Sequence, residues 1–187
     1  MFHWHWAIDW VMEKKNFTVS VYTENNIGLL SRIAAIFQKR HINIESITAS
    51  RSEVNEVMRF TIVVQVTEEQ VKKIAGQIEK QIEVIKAFYH TDDEMIYQET
   101  ALYKINSSDF VEDLNIQDFI KESNARIVTV TPKFFVIEKT GKRHETDSLY
   151  EKLKPYGLMQ FVRSGTIAVT KNEMPISNIL EQFDTTN

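Results

Sequence analysis

Phe17–Thr23 alternates apolar and polar residues, a period-two pattern that predicts a half-buried strand. The period then changes. Leu29, Ile33, Ile36 and Phe37 recur at helical spacing, predicting a helix over about 28–40 that ends near Lys39, Arg40 and His41, where cations suit the C-terminal dipole. Asn43–Ser50 reads as a second strand; its loose alternation predicts a bulge or an edge position. After a polar connection over 51–56, Val57–Val66 is the most strongly β-forming run and predicts a central strand. Thr67 then predicts a capped helix whose stripe is Val71, Ile74 and Ile78, and Ile82–His90 a fourth strand.

The order strand-helix-strand-strand-helix-strand is the ferredoxin-like arrangement, an antiparallel sheet with both helices on one face. The other face then needs a cover, often a partner chain. The same pattern returns more loosely. Glu99–Ile105, Ala125–Val130 and Phe134–Glu138 read as strands. Ser108–Ser123 reads as a helix with a cap at Ser108 and apolar Phe110, Leu114, Ile116, Phe119 and Ile120. His144–Lys154 reads as a helix stopped by Pro155 and Gly157. Leu158–Arg163 and Thr166–Thr170 close the unit, with Ser164-Gly165 as a hairpin-like turn. The fold class is therefore α+β, two tandem βαββαβ units. The expected division is an N-terminal extension (1–15), a first domain (16–91), a linker (92–97), a second domain (98–172) and a tail (173–187) with a short helix over Ile176–Phe183.

Composition narrows the function classes. The 187 residues are 43% hydrophobic and 26% charged, as in an ordinary soluble domain pair. A net charge of −4 with dispersed Lys and Arg argues against a nucleic-acid binder. Cysteine is absent, which removes disulfides and thiolate chemistry and fits a cytoplasmic setting. No apolar run reaches the roughly 18–20 residues of a membrane span. Residues 1–15 are aromatic and lack a basic n-region, so they are not read as a signal peptide. Met12 is expected as the natural start, with 1–11 a translated extension. His3 and His5 are too few for a closed metal site.

Catalytic motifs are missing: the five glycines form no phosphate loop, and GxSxG is absent. His41, His90 and His144 are isolated and are read as solvated or dipole-neutralising. Asp92-Asp93 and Glu68-Glu69 sit where acids serve solubility or a helix dipole. Ser31 has no adjacent base. One stretch remains, Glu24–Ile47. Asn25 or Asn26 can cap the first helical turn, and Gly28 removes a Cβ where a ligand would approach the backbone. Free N–H groups and the positive helix end favour a carboxylate. A cap-plus-glycine also starts many ordinary helices. Asn43 begins the second strand, where its carboxamide either shapes the turn or faces the Asn25–Gly28 turn of a second copy.

The run Glu24, Asn25, Gly28, Leu30, Ser31, Arg32, followed by Ile42-Asn43-Ile44-Glu45-Ser46-Ile47, resembles the N-terminal ACT domain of the small, regulatory subunit of acetohydroxyacid synthase (acetolactate synthase). Residues 58–64 and 78–88 are similar to later elements of that domain, and 124–141 and 156–171 to the family's ACT-like C-terminal domain. The resemblance spans about 17–171. Asn26-Ile27 at the helix start, Ile42 in place of the family's tyrosine, the lack of a proline in 51–57 and the N-terminal extension depart from it.

The resemblance implies a non-catalytic subunit that binds no cofactor itself. Its partner would be the large catalytic subunit, which uses thiamine diphosphate, Mg²⁺ and FAD to condense two pyruvates, or pyruvate with 2-oxobutyrate, in branched-chain amino-acid biosynthesis. The small subunit activates it and confers feedback inhibition, typically by valine, with leucine and isoleucine as the other effectors. The effector would lie between ACT domains of a homodimer. Its carboxylate would rest on the N–H groups of Gly28 to Leu30 with help from Asn25, while Asn43 of the other protomer would orient the ammonium. Leu29, Leu30 and Ile44 would line the side-chain pocket. A stand-alone amino-acid-binding regulator or structural dimer is the alternative.

Overall fold

The computed structural model describes residues 13–108 and 114–184. In its first unit β1 (Lys15–Glu24), α1 (Leu29–Gln38), β2 (Ile44–Arg51), β3 (Val57–Val66), α2 (Glu68–Ile78) and β4 (Val84–Thr91) form a sheet in the order β2-β3-β1-β4. All pairings are antiparallel, with Val19 opposite Ile62 and Val21 opposite Phe60. That register puts Phe17, Val19, Val21, Phe60, Ile62 and Val64 on one face, against Leu29, Ile33 and Phe37 of α1 and Val71, Ile74 and Ile78 of α2. Each such fully buried side chain contributes about 1.5–3 kcal/mol. β2 is an edge strand and carries a bulge between Ile44 and Ser46. The Thr67 hydroxyl accepts from Gln70 N–H at 3.3 Å while the Gln70 side chain accepts from Thr67 N–H at 3.0 Å, a full capping box for α2.

The second unit repeats the order. β5 (Met95–Asn106), α3 (Leu114–Glu122), β6 (Arg126–Val130), β7 (Phe134–Gly141), α4 (Arg143–Leu153) and β8 (Leu158–Arg163) give the sheet β6-β7-β5-β8. Its core is Tyr103, Ile105, Ile116, Phe135, Ile137, Leu149 and Leu153. Inside it, Tyr103 Oη donates to the Thr146 carbonyl at 2.7 Å and Thr146 Oγ1 donates to Glu99 Oε1 at 2.5 Å, which pins α4 to β5. β9 (Ile167–Thr170) and α5 (Ile176–Asp184) follow. The expected Phe110 and the start of the helix before Leu114 lie outside the described residues, as do His3, His5 and residues 1–11.

Three expectations change. Residues 92–97, read as a linker, hold a 3-10 turn at Asp92–Glu94, capped through Thr91, and the first residues of β5. Ser164-Gly165 is not a hairpin turn. β8 pairs with Ala101–Ile105 of β5, whereas β9 pairs with Met95–Gln98 of the same strand, so β8 and β9 lie along β5 one after the other. β1 is not half-buried either. Thr18, Ser20 and Tyr22, on the face away from α1 and α2, are as buried as the core.

One arrangement explains all three. The β5–β9 ribbon lies over the helix-free face of the first sheet, where Thr48 Oγ1 donates to the Thr166 carbonyl at 2.9 Å and Thr166 N–H donates to Ser46 Oγ at 2.8 Å. α5 continues the cover, with Leu180 and Ile176 against Tyr22 and Val57. The chain thus supplies its own second layer, so the sequence-based expectation of an outside cover is corrected there. Small hydroxyl residues on β1 suit this layer because they bury little apolar surface and can pair with backbone groups. Ile82, read as the start of β4, is instead fully exposed in the turn before it.

Candidate functional site

β1 ends at Glu24, and four residues later the chain enters α1 through Gly28 at φ 84°, a left-handed conformation that suits glycine. No side chain caps this helix. Asn26 Nδ2 donates to Glu24 Oε2 at 3.2 Å instead, and Asn25 is exposed, so neither asparagine takes the expected capping role. α1 also has no acidic residue in its first turn, whereas α2 has Glu68, Glu69 and a capping box. The first intrahelical bond runs from Arg32 N–H to the Gly28 carbonyl at 3.2 Å. Ahead of it, the N–H groups of Leu29, Leu30 and Ser31 point out of the helix end without an intrahelical partner. Their partial charges and the helix dipole make this end electropositive. A Cβ built on Gly28 meets nothing within 4 Å, so the space above the tip is open.

The surroundings sort the expected site residues. Leu29 is 1% exposed and packs into the core with Ile33 and Phe37, so the expectation that its side chain lines a pocket is corrected; it offers only its N–H. Leu30 is 46% exposed. Beside it Ile27 is fully exposed, an apolar residue at the tip that the sequence reading left out. Its signal was an isoleucine inside an otherwise polar turn. Arg32 ion-pairs with Glu83 at 2.6 Å, and Glu24 N–H donates to the Glu83 carbonyl at 2.9 Å, so the tip is tied to the turn before β4. The Arg32 hydrogen bond, aided by a backbone hydrogen bond, holds the Glu83 carboxyl below its usual range.

Asn43 and Ile44 stand at the other end of α1. Asn43 is exposed at the start of edge strand β2, and Ile44 is half-buried against the core. Ten helical residues separate the two ends by about 15 Å, so one protomer does not bring Asn43 to its own Gly28. Ala34, His41, Asn43 and Ile44 line a shallow depression there.

Several cavities lie between the units; one of about 320 Å³ opens between Thr48 and Thr61 of the first sheet and the β5–β9 ribbon, and two are more enclosed. The larger, about 550 Å³, is walled by Glu45, Glu99, Arg143 and Arg163 among others. Its two arginines are paired: Arg143 with Glu45 at 3.6 Å, and Arg163 with Glu99 at 3.4 Å and with Asp147. The smaller, about 170 Å³, lies under the first sheet between Tyr22, Arg59, His90 and α5. His90 is therefore a partly buried cavity wall and not a solvated residue. Among the described residues no group of three His, Asp or Glu is placed to hold a metal, and no helix is long and apolar enough to cross a membrane.

The fold defines the class: a tandem pair of ferredoxin-like α+β units docked across one sheet face. Comparison with known proteins then names the family. The family model described as an AHAS small subunit-like ACT domain matches residues 19–86, and the model for the small subunit of acetolactate synthase matches 98–172. The acetolactate synthase small subunit of Bacillus subtilis is 36% identical over 154 residues, covering 82% of this chain and 89% of that protein. The Mycobacterium bovis protein of the same name is 31% identical over 165 residues, covering 86% and 95%. The crystal structure of the small subunit from Thermotoga maritima covers 86% of this chain and 99% of its own with a TM-score of 0.77; at 24% identity the likeness is one of fold. The chain belongs to the acetolactate synthase small-subunit family.

Proposed function

We propose that this chain is the regulatory subunit of an acetolactate synthase, activating a catalytic large subunit and making it sensitive to a branched-chain amino acid, valine first. The carrying observation is the tip of α1: three outward N–H groups, an open space above Gly28 and no protein carboxylate or cap in the first turn. A zwitterion places its carboxylate on those donors, with the Asn25 amide beside it, and its aliphatic group against Leu30 and Ile27. Two copies meeting along their β2 edges bring Asn43 and Ile44 of one to the tip of the other and complete the site as a homodimer. The large subunit, with its thiamine diphosphate, Mg²⁺ and FAD, carries the chemistry. Effector binding shifts the balance between two dimer arrangements, and a coupling of about 1–3 kcal/mol gives several-fold to roughly hundred-fold inhibition.

Reconstitution tests this reading. Added to a purified large subunit, the chain raises acetolactate formation, and valine reverses the gain. A large subunit that neither binds this chain nor gains activity from it overturns the proposal.

A further inference from the structure

The larger cavity keeps one cation and one anion outside its ion pairs. Lys142 and Asp92 both line it, and neither forms a salt bridge among the described residues. Lys142, exposed at the start of α4, holds its ammonium 5.3 Å from the centre of the Tyr97 ring. Asp92, half-buried in the 3-10 turn, accepts from Asn16 Nδ2 at 3.2 Å. Tyr97 stands between the two: burial first, and the nearby Asp92 charge second, hold its hydroxyl above the ordinary value. The ammonium is thus over the ring and the carboxylate by the hydroxyl. Glu99 follows two residues along β5, on the same face. It is 5% exposed, and its Oε1 takes both the Thr146 hydroxyl and the Arg163 contact. Oε2 accepts no hydrogen bond among the described residues and is not sealed from solvent, so it opens onto this cavity. Arg163 is shared between Glu99 and Asp147, which leaves the acidic side in excess there.

We propose that this cavity binds a free α-amino acid with an uncharged side chain, its ammonium between Asp92 and Glu99 Oε2, its carboxylate on Lys142, and the Tyr97 ring beneath its Cα. Charge selects the zwitterion. A simple anion meets Asp92 and Glu99, and a simple cation meets Lys142, so each half alone is opposed by a like charge. Together they supply three N–H donors to the acidic side and two oxygens to the lysine. A metal ion lacks a ligand set, since no group of three His, Asp or Glu among the described residues is placed for one. The volume of about 550 Å³ falls within the range of about 300–1,000 Å³ of small-molecule sites and leaves room for a side chain and several waters. The site lies within one chain, between its two units, and shares no residue with the Gly28 tip. It therefore stands whether or not the dimer forms.

Calorimetric titration of the full chain carrying Gly28→Asp, which fills the α1 tip, tests the assignment. The probes are L-valine, its methyl ester and isovalerate, which carry both charges, the ammonium alone and the carboxylate alone. L-Valine binds once per chain with a Kd of about 1–10 mM, and the ester and isovalerate bind at least about tenfold more weakly. Lys142→Met and Asp92→Asn remove one charge each at open positions. Both leave the melting temperature within about 2 °C and weaken L-valine at least about fivefold. Titration without Gly28→Asp separates the two sites. A second L-valine per chain there, insensitive to Lys142→Met, belongs to the tip. One L-valine per chain in both backgrounds, lost with Lys142→Met, upholds this cavity and removes the tip. L-Valine without heat in the Gly28→Asp chain to about 20 mM, or the ester or isovalerate binding as tightly as L-valine, or L-valine unaffected by both substitutions, overturns the proposal and leaves Lys142 and Asp92 as hydrated charges.

Discussion

Thr166 N–H donates to Ser46 Oγ at 2.8 Å, joining residues 120 apart in the chain. The Thr166 carbonyl accepts from Thr48 Oγ1 in return. Ser46 and Thr48 belong to β2, the edge strand at which the proposed dimer forms, so the second unit is attached where a partner would press.

Gly165 makes that attachment possible. It has φ +81°, and a Cβ there would lie 2.9 Å from Thr48 Oγ1 and 3.0 Å from Ser46 Oγ. Gly165→Ala therefore lowers stability by about 1–3 kcal/mol through backbone strain and crowding, read as a lower denaturant midpoint. Gly76 is the control. It lies inside α2 with open space around its Cβ position, and Gly76→Ala raises stability by about 0.5–1 kcal/mol. Equal effects at the two positions would contradict the description of the contact.

Leu29 and Leu30 are neighbours with opposite roles. Leu29→Ala empties a buried position and costs about 2–5 kcal/mol. Leu30→Ala, on the exposed side, stays within about 0.5 kcal/mol in stability and weakens valine binding. Chemical denaturation and calorimetry on the two variants separate packing from recognition. A Leu30→Ala protein that binds valine unchanged removes Leu30 from the proposed site.

Acid weakens the fold in two stages. His90 has a folded pKa below its ordinary 6.5, so between that value and the folded one the unfolded chain holds the extra proton, and stability falls as pH drops below 6.5. Glu83, Glu94 and Glu145 all sit below the ordinary 4.5: Glu83 chiefly through Arg32, Glu94 through hydrogen bonds at Thr91, Glu145 through the Lys142 N–H. Their contribution is complete above 4.5 and is lost as pH falls through the folded values. Melting temperature against pH thus declines gently below 6.5 and steeply below 4.5. His90→Phe flattens the first decline; a curve identical to the parent's would show that His90 is not buried as described.

Local chemistry made much of the fold legible. The capping box at Thr67, the helical stripe of α1 and the long apolar run of β3 each signal one element within a few residues. What escaped was non-local. Thr18 and Ser20 read as solvent-facing because period-two alternation carries no record of a second layer arriving from far along the chain. Asp92-Asp93-Glu94 looked like a linker because acids mark both linkers and first helical turns; Thr91 caps them into the latter. At the tip, Gly28 was readable, but the absence of a cap was not, since Asn25 and Asn26 are good capping residue types. Leu29 and Leu30 are chemically alike, and only the helix phase divides core from surface.

Gly28→Asp isolates the role of the tip. The side chain has space, so the fold tolerates it at a cost of about 1–2 kcal/mol for a non-glycine residue at positive φ. Its carboxylate then sits on the donors meant for the effector. Reconstituted enzyme with this variant stays activated and loses valine inhibition; an enzyme still fully inhibited by valine would count against the anion seat.

The most direct measurement follows the backbone amides themselves. Valine is titrated into ¹⁵N-labelled chain, and the resonances of Gly28, Leu29, Leu30 and Ser31 are tracked. The account predicts that these four shift together and saturate at one valine per tip, with Asn43 responding in the same titration. Four unmoved amides, under conditions where valine inhibits the reconstituted enzyme, would contradict it.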